Sequence, residues 1–341
     1  MMWLLMTATS CDKSFFEYEG DCEVTHSIRF VYDMNLKWAN AFPSEVKSVS
    51  LYVFDSNGLF LKEYQAKGDA LSDPEFRIQL DLPANKAYKF LAWCGLDNED
   101  AGYESFRVIQ PVAGTTTLEE VDCILQSQEK TDNGEEISDL RLQFLYHGYL
   151  EEYLEDNHDG THYDYTIFLT KDTNHIRVML QQASGNLSAE DFELSLVAEN
   201  GCLAWDNIPI GDTKIEYQPW NIEEDILGIG NSAGDMKEYY GVIADLSTCR
   251  LMAPRVNEIF LFVRKKKDGK LLFKVPLLQY SLSEKSYYEL AYGHKMSDQE
   301  FLDRQDEYTM TFFLDDNLNW LYVVIEILEW RVVIHNYENQ N

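Results

Sequence analysis

Strand-like runs that alternate with turn signals recur along this chain and constrain its fold more than any other feature. The run Val46–Asp55 is followed by Asn57-Gly58 and by a second β-rich run. An Asn-Gly pair between two such runs is a strong signal for a β-hairpin. The same pattern returns within Phe192–Trp205, around an Asn-Gly pair, and within Ile259–Tyr280, around an Asp-Gly pair. We therefore predict three hairpins.

Helical patterns are few beside these strands. Phe76–Leu82 alternates apolar and polar residues, as a half-buried strand does. The best helical patterns are Glu284–Tyr292 and Met296–Arg304, where Ser297 is the expected N-cap. No period of about 20–50 residues recurs, which disfavours a solenoid or a propeller. Short strands with a turn signal at each reversal predict an all-β sandwich.

The length of 341 residues favours two domains. The segment Glu151–Tyr165 is acidic, rich in turn residues and almost without aliphatic residues. Such a segment is typical of a domain boundary, which we place at about residue 160. Because both halves contain hairpin signals, the sequence predicts two β-sandwiches in tandem, over residues 23–160 and 161–341.

The charge balance excludes one class of partner. The chain has 28 Lys and Arg residues against 59 Asp and Glu residues, a formal net charge of −31. A surface this negative repels phosphate backbones and anionic lipid headgroups, so we predict no nucleic-acid partner. It does not exclude a covalent lipid anchor, which works by burying an acyl chain rather than by charge.

The beginning of the chain is typical of an exported lipoprotein. Residues 1–6 are all apolar, and small residues then lead to Cys11. An apolar segment followed by small residues and a cysteine matches a signal peptide with a lipobox. We therefore expect residues 1–10 to be a signal-peptide remnant, Cys11 to be lipidated and residues 11–22 to be a tether. The leader is short and lacks Lys and Arg, so we expect translation to start further upstream.

Other segments add no membrane span and no zinc site. No other run is long and apolar enough to cross a bilayer. The remaining cysteines have no C-x-x-C spacing, so structural zinc is not expected. Their pairing cannot be deduced from the sequence; they are Cys22, Cys94, Cys123, Cys202 and Cys249.

One motif suggests a hydrolase. Residues 230–234 match G-x-S-x-G, in which Ser232 would be the nucleophile. That motif requires a buried strand before it and a helix after it, whereas acidic residues precede it here and Gly241 soon follows. A flexible loop is the favoured interpretation, and a serine esterase is kept as a remote alternative.

A second motif resembles a calcium loop without completing it. Aligned on an EF-hand from Glu155, the acidic and glycine positions fit, but the twelfth position is Thr166 where a glutamate is required. His158 and His162 could share a transition metal only on a helix, which Asp159-Gly160 disfavours. We predict a solvated linker, and hence no metal and no cofactor.

Aromatic residues give an alternative of another class. Trp93, Trp205 and Trp220 could stack on sugars if they were exposed, although tryptophan in a sandwich is more often core. A glycan-binding surface lipoprotein is therefore the alternative to the function developed next.

Several segments together resemble a known family. They are the lipobox-like Cys11, LYVFDSNG at 51–58, LAWCGL at 91–96, LTKDTNHIRV at 169–178 and WRVV at 330–333. In this order and spacing they resemble the FimB-like fimbrial anchor subunits of Bacteroidales type V fimbriae, over residues 11–338.

The resemblance implies a lipoprotein at the outer membrane with two transthyretin-like β-sandwich domains. Members of this family lie at the base of a fimbria, anchor it and limit its length, and they are not enzymes. By position, Cys11 would be acylated with diacylglycerol and palmitate. The implied partners are fimbrial stalk subunits and the outer membrane, with host surface molecules as a further possibility.

Such a role implies assembly by β-strand exchange, in which a neighbour's strand pairs with an open edge. Within the β-rich run Asn319–Glu338, the apolar strand Leu321–Ile334 is expected either to complete its own domain or to contact the first stalk subunit. The predicted partner-binding residues in this run are Leu321, Val323, Ile325, Trp330, Val332 and Ile334.

Overall fold

A computed structural model describes residues 24–97, 104–126, 129–130, 135–157, 160–182, 185–232, 235–327 and 330–335. The strands of the first half are β1 (Thr25–Val31), β2 (Ser48–Asp55), β3 (Phe60–Lys67), β4 (Ile78–Leu80), β5 (Lys86–Cys94), β6 (Phe106–Val108), β7 (Cys123–Leu125), β8 (Glu129–Lys130), β9 (Glu136–Ser138), β10 (Tyr146–Leu154), β11 (His162–Phe168) and β12 (Thr170–Lys171). A short helix, α1 (Phe42–Glu45), lies between β1 and β2.

The second half is also mostly strand. Its strands are β13 (Thr173–Gln182), β14 (Phe192–Ala198), β15 (Cys202–Leu203), β16 (Ile215–Tyr217), β17 (Asn221–Ser232), β18 (Asp235–Cys249), β19 (Phe260–Lys265), β20 (Leu271–Pro276), β21 (Glu307–Leu314), β22 (Trp320–Ile327) and β23 (Trp330–His335). Its helices are α2 (Leu277–Leu282), α3 (Lys285–Tyr292) and α4 (Asp298–Arg304). The predicted all-β class is confirmed.

The first half packs two sheets around a core. One sheet has the order β12-β10-β5-β2-β3 and the other the order β11-β1-β4. Leu51 and Phe90 of the larger sheet and Ile28 of the smaller one are fully buried in a common cluster. Burial of each such side chain contributes about 2 kcal/mol to folding. The two sheets thus form a sandwich.

The larger of these sheets is buried on both faces. Leu51 and Val53 face the first core, whereas Tyr52 and Phe54, which alternate with them, belong to the core of the second half. A sheet covered on both sides requires a nearly continuous apolar strand. This explains why the run around LYVF does not alternate cleanly between apolar and polar residues.

The second half packs two larger sheets. They have the orders β17-β18-β13-β21-β22-β23 and β20-β19-β14-β16-β9-β8. Val178 and Phe312 of the first sheet lie in one cluster with Leu194 and Leu261 of the second. A small sheet, β15-β7-β6, lies beside them and joins residues from both halves of the chain.

Strand pairing does not follow the predicted boundary at residue 160. β11 pairs in parallel with β1 over its whole length, and β12 pairs with β10. The chain therefore leaves the first pair of sheets at Asp172. In the other direction, β9 pairs in parallel with β16 of the second half. The acidic segment is a connection between two sheets of one sandwich, and the division into two independent domains stays a prediction.

Two of the three predicted hairpins are confirmed. β2 pairs with β3 around Gly58, which has a φ of 83°, and β19 pairs with β20 around Gly269, which has a φ of 66°. Glycine adopts this left-handed conformation without the steric penalty of other residues.

The hairpin predicted around Asn200-Gly201 is wrong. β14 pairs with β16 and β19, whereas β15 pairs with β7 in another sheet. Asn200 is almost fully buried, and its side-chain amide donates hydrogen bonds to the carbonyls of Cys249 and Arg250, at 3.1 and 3.0 Å. Asn200 thus holds the segment that connects β14 to β15, two strands of different sheets, against the core, and it does not form an exposed turn.

Both predicted helices are present. α4 begins after Ser297, whose hydroxyl accepts a hydrogen bond from the Glu300 amide at 3.0 Å. α3 ends at Gly293, with a φ of 73°. The second strand of the hairpin predicted within Ile259–Tyr280 is shorter than expected. It ends at Pro276, and α2 follows at once. Proline lacks the amide proton that a continued ladder requires.

Candidate assembly site

The C-terminal run folds into a hairpin rather than one long strand. β22 pairs antiparallel with β21 on one side and with β23 on the other. The prediction of a single strand over Leu321–Ile334 is therefore wrong. By folding back, the run pairs two apolar segments within the same sheet.

The hairpin completes the core of its own sandwich. Val323 and Ile325 have no exposed surface, and Ile334, the cross-strand partner of Val323, packs against the same core. Burial of two such side chains contributes roughly 4 kcal/mol together. Two roles are predicted for this run, and the structure shows the first of them, in which the run completes its own domain. A contact with a partner stays a prediction, and the backbone of these two residues could not make it, because β22 is already paired on both sides.

Leu321 differs from its neighbours. The register of β21 and β22 shifts between Phe313 and Leu314, which leaves Leu321 as the extra residue of a β-bulge. A bulge turns a side chain away from the alternation of its strand. Leu321 is 43% exposed, so its side chain is available at the surface.

β23 forms the edge of the six-stranded sheet. Within the part of the chain that the structure describes, no strand pairs with its outer side. Alternate residues of an edge strand direct their backbone N–H and C=O groups outward. Val333 on this strand is half exposed. Trp330 and Val332 belong to the strand, but their side chains lie outside the described part.

The predicted lipidation site cannot be placed. Cys11 and the tether at 11–22 lie outside the described residues, as does Cys22. Among the helices that the structure describes, none is long and apolar enough to cross a bilayer. The other four cysteines are free thiols. Burial raises the pKa of the half-buried Cys202 thiol to about 11, so it is protonated at neutral pH.

A polar network joins the sandwich that begins at β1 to the one that ends at β23. Lys171 is the last residue of β12, where the chain passes from the first sandwich to the second. Its ammonium forms an ion pair with Asp306, which precedes β21, and a second one at 3.3 Å with Glu45 of α1. One residue on, Asp172 is fully buried and accepts a hydrogen bond from the Asn207 amide at 2.8 Å. Burial raises the pKa of Asp172 to about 8, although Arg250 at 3.8 Å opposes the shift.

A second contact between the sandwiches was not predicted from the sequence. Trp38, in the loop between β1 and α1, donates from its indole nitrogen to the Tyr288 hydroxyl at 2.9 Å. The guanidinium of Arg304 lies over the Trp38 ring and donates to the carbonyls of Asp33 and Asn35. Trp38 has a φ of 54°, which is rare for a bulky residue. No local pattern in the sequence indicates this contact.

The G-x-S-x-G motif has the wrong context for a nucleophile. Ser232 ends β17 and pairs with Asp235 at the start of β18. The described residues on both sides of it are thus strands, β17 before it and β18 after it, whereas a nucleophile elbow requires a helix after the serine. A second Ser-His-Asp group, Ser27, His162 and Asp164, is also unsuited to catalysis, because Ser27 is fully buried and donates to Asp164.

The calcium-like segment does not form a twelve-residue loop. β11 begins at His162, so the last part of the motif is strand, and the Thr166 hydroxyl accepts a hydrogen bond from Arg29 at 2.7 Å. His158 lies outside the described residues. Among those described, no group of His, Cys, Asp and Glu has the geometry of a metal site.

The tryptophans proposed as sugar platforms do not offer open faces. Trp93 is fully buried. Trp205 packs edge-on against Tyr149 at 5.2 Å, and the Trp220 ring is covered by Arg141 at 5.2 Å. These positions are core or half-buried packing rather than a binding surface.

Comparison with protein families gives one match over most of the chain. The model described as "Fimbrillin-A associated anchor proteins Mfa1 and Mfa2" matches residues 18–336. Among curated protein sequences, none is significantly similar to this chain.

Several solved structures have the same fold. A candidate adhesin from Bacteroides thetaiotaomicron is 32% identical, with a TM-score of 0.77, and the match covers 91% of this chain and 97% of that one. A candidate polysaccharide-binding protein from the same organism is 27% identical, with a TM-score of 0.74 and coverage of 94% and 100%. The fimbrial anchor protein Mfa2 from Porphyromonas gingivalis is 18% identical, with a TM-score of 0.64 and coverage of 93% and 100%. This last likeness concerns the fold alone.

Proposed function

The chain belongs to the family of fimbrillin-A associated anchor proteins, and on this premise we propose that it anchors a fimbria to the outer membrane and limits the length of that fimbria. In this role it is a structural lipoprotein and not an enzyme. Its partners are the outer membrane, through a lipid on Cys11, and fimbrial stalk subunits. Contacts with host surface molecules are a further part of the proposal.

The observation that favours an assembly role is the position of β23 at the edge of the six-stranded sheet. An edge strand presents a row of backbone donors and acceptors, and an extended segment of another subunit can add to it as a further strand. In our proposal the first stalk subunit supplies that strand. Leu321 and Val333, both partly exposed, would contact its side chains.

A proline tests this edge. Val333→Pro removes one backbone donor and places a ring at the edge, which blocks strand addition while the buried face is left unchanged. We expect cells with this variant to shed fimbriae, whereas Val333→Thr retains them. The unfolding midpoint of each purified variant shows whether the sheet is intact. Full retention by a folded Val333→Pro protein would contradict strand addition at β23.

The lipid is proposed to hold the assembly at the membrane. Stable anchoring requires two acyl chains or one chain with a second signal, which the diacylglycerol expected on Cys11 satisfies. Labelled palmitate should be incorporated by the natural chain and by Cys22→Ala but not by Cys11→Ala. Equal incorporation by the Cys11→Ala variant would place the lipid elsewhere.

Length limitation follows from the same arrangement. A subunit that ends the polymer at the membrane competes with further stalk subunits, so less of it should give longer fimbriae. Reduced expression of this chain should therefore lengthen the fimbriae seen by electron microscopy. An unchanged length distribution would count against the length-limiting part of the proposal.

The alternative functions differ in their support. A serine esterase at Ser232 lacks the helix that would position the nucleophile. Glycan binding on the three predicted tryptophans has little support, because Trp93 is fully buried, Trp205 packs against Tyr149 and Arg141 lies over the Trp220 ring.

A further inference from the structure

Two parallel strands, β1 and β11, run side by side in the smaller sheet of the first sandwich, and we call them the parallel pair. β1 pairs with β11 over its whole length of 7 residues, whereas β4, on its other side, pairs with only part of it. The Thr25 amide donates to the Thr161 carbonyl at 3.3 Å, and the Leu169 amide donates to the Val31 carbonyl at 2.8 Å. The backbone ladder of the parallel pair therefore extends to both of its ends.

Hydrogen bonds between side chains reinforce this ladder on one face of the parallel pair. Successive register partners on this face are bonded to each other, namely Thr25 with His162 at 2.7 Å, Ser27 with Asp164, and Arg29 with Thr166 at 2.7 Å. On the opposite face, Ile28 and Ile167 are fully buried in the core of the first sandwich. Such cross-strand contacts add to the stability of the pairing. β1 is thus held to β11 by backbone, side chains and core.

The two ends of the parallel pair lead to different parts of the molecule. The chain enters β1 at Thr25, so the expected tether at residues 11–22 would pull on that end. β11 ends at Phe168, after which the chain passes through β12 into β13 of the second sandwich. Arg304 of the second sandwich also donates to the Asp33 carbonyl at 2.9 Å, just after the end of β1. The tether and the second sandwich are therefore attached at opposite ends of the parallel pair.

This arrangement converts tension into shear between the two strands. A force on the start of β1 and on the end of β11 displaces the strands along their common direction, so all the hydrogen bonds between them share the load. A force on the same end of both strands breaks these bonds one after another instead. Because a single hydrogen bond contributes little to stability, the sharing of the load determines how well the pairing resists the force.

From the register and the attachment of the parallel pair we propose a further function, in which it is a mechanical clamp that keeps the first sandwich folded under tension. The load on this clamp rests on the proposed anchoring function, because a fimbria attached at β23 would pull on the second sandwich. The clamp also gives a role to Ser27, His162 and Asp164, which are unsuited to catalysis. Their hydrogen bonds join the two strands that the tension would slide apart.

Single-molecule force spectroscopy of the purified full chain tests the clamp. One handle is attached through a peptide tag at the amino terminus, and the other through an azide-bearing side chain that replaces either Phe168 or Asn157, both of which are exposed. A force at position 168 loads the parallel pair in shear, whereas a force at position 157, which precedes β11, peels it from one end. We expect the rupture force at position 168 to be at least about twice that at position 157.

Variants of similar shape test the side-chain bonds. Thr25→Val combined with Thr166→Val removes the bonds to His162 and Arg29 and leaves the backbone ladder in place. At constant force in the shear geometry, we expect this double variant to rupture about fivefold faster than the natural chain. Thr309→Val, on β21, is the matched control, because Thr309 is partly buried and its hydroxyl has no hydrogen bond among the described residues. It should rupture at the natural rate.

The outcomes separate the clamp from the anchoring function. Equal rupture forces at positions 168 and 157 would overturn the clamp and leave the anchoring function standing, because the measurement needs no fimbria. A double variant that ruptures at the natural rate would overturn the role of the side-chain bonds. Equilibrium stability does not depend on where the handles are attached, so a purely structural role of the parallel pair would give no difference between the two positions. This comparison decides the proposal even if the double variant does not fold.

Discussion

The guanidinium carbon of Arg304 lies 3.4 Å from the ring centre of Trp38, although the two residues belong to different sandwiches. Arg304 is almost fully buried and also donates to the carbonyl of Asp33 at 2.9 Å. A buried cation over an aromatic face contributes up to about 2 kcal/mol. This contact therefore helps to fix one sandwich against the other.

Removal of this contact should destabilise the whole protein. Arg304→Ala leaves two carbonyls without their donor, and we expect the free energy of unfolding in urea to fall by about 2–4 kcal/mol. Lys37→Ala, an exposed change in the same loop, should lower it by less than about 0.5 kcal/mol. Equal midpoints for the two variants would show that Arg304 does not hold the sandwiches together.

Asp172 should make the protein less stable as the pH rises. Burial raises its pKa to about 8 in the folded protein, whereas an unfolded aspartate loses its proton near pH 4. Between these values the folded state holds one proton more, so the free energy of unfolding falls by about 1.4 kcal/mol per pH unit from this group. Asp172→Asn should remove that slope between pH 5 and 7. A slope that is unchanged in the variant would contradict the assignment.

Asp164 should have the opposite effect on the pH dependence of stability, because its pKa is lowered and not raised. Burial raises its pKa, but the hydrogen bonds from Ser27 and Arg77 outweigh burial and lower the pKa to about 2. The stabilisation from this carboxylate is complete above the unfolded pKa near 4 and is lost as the pH falls toward 2. The pH ranges of the two groups therefore do not overlap.

Gly95 should tolerate no side chain. Its φ is 92°, and a Cβ placed there would lie 1.8 Å from the Phe144 carbonyl oxygen. Gly95→Ala should therefore destabilise the protein by more than about 3 kcal/mol, from the conformational penalty and the clash together. Gly114→Ala is the control, because its φ of 71° is also left-handed but its surroundings are open. We expect it to cost about 1–2 kcal/mol in thermal unfolding. If the two variants lowered the free energy of unfolding by similar amounts, the clash predicted at Gly95 would be refuted.

The buried residue Ile325 and the exposed residue Leu321, both on β22, should respond differently when their side chains are shortened to alanine. Ile325→Ala removes a fully buried side chain and should lower the free energy of unfolding by about 2–5 kcal/mol. Leu321→Ala, at the exposed bulge, should lower it by less than about 1 kcal/mol. If both changes were neutral, β22 would not be part of the core that the structure describes.

Local signals in the sequence predicted local structure well. The hairpin of β2 and β3 and the cap of α4 at Ser297 depend on residues within a few positions of one another, and both are confirmed. Each turn type requires particular residues at particular positions, so a turn can be recognised from the few residues that form it. The all-β class could be predicted for the same reason.

Pairing over long distances could not be predicted. The parallel pairing of β1 with β11 joins residues more than 130 positions apart, and nothing in either segment indicates its partner. The Asn200-Gly201 pair has the composition of a turn, but its amide is used inside the core. The contact of Arg304 with Trp38 is of the same kind, because it depends on how two sandwiches meet.

The candidate assembly site depends on how the C-terminal run divides into strands. The apolar C-terminal run was identified, but its division into β22 and β23 was not, since apolar residues on both faces hide the strand ends. Val323 and Ile325, which are predicted to be partner-binding residues, have fully buried side chains. The partner contact of the six residues stays a prediction.

Retention of fimbriae on cells tests the anchoring function most directly. Cells would express, as their sole copy, the natural chain, the Cys11→Ala variant or the Cys22→Ala control, and fimbriae would be quantified on the cells and in the medium. We predict that Cys11→Ala releases both the protein and the fimbriae into the medium, while Cys22→Ala retains them. Fimbriae that stay on cells with Cys11→Ala, and equally on cells without the chain, would contradict an anchoring function.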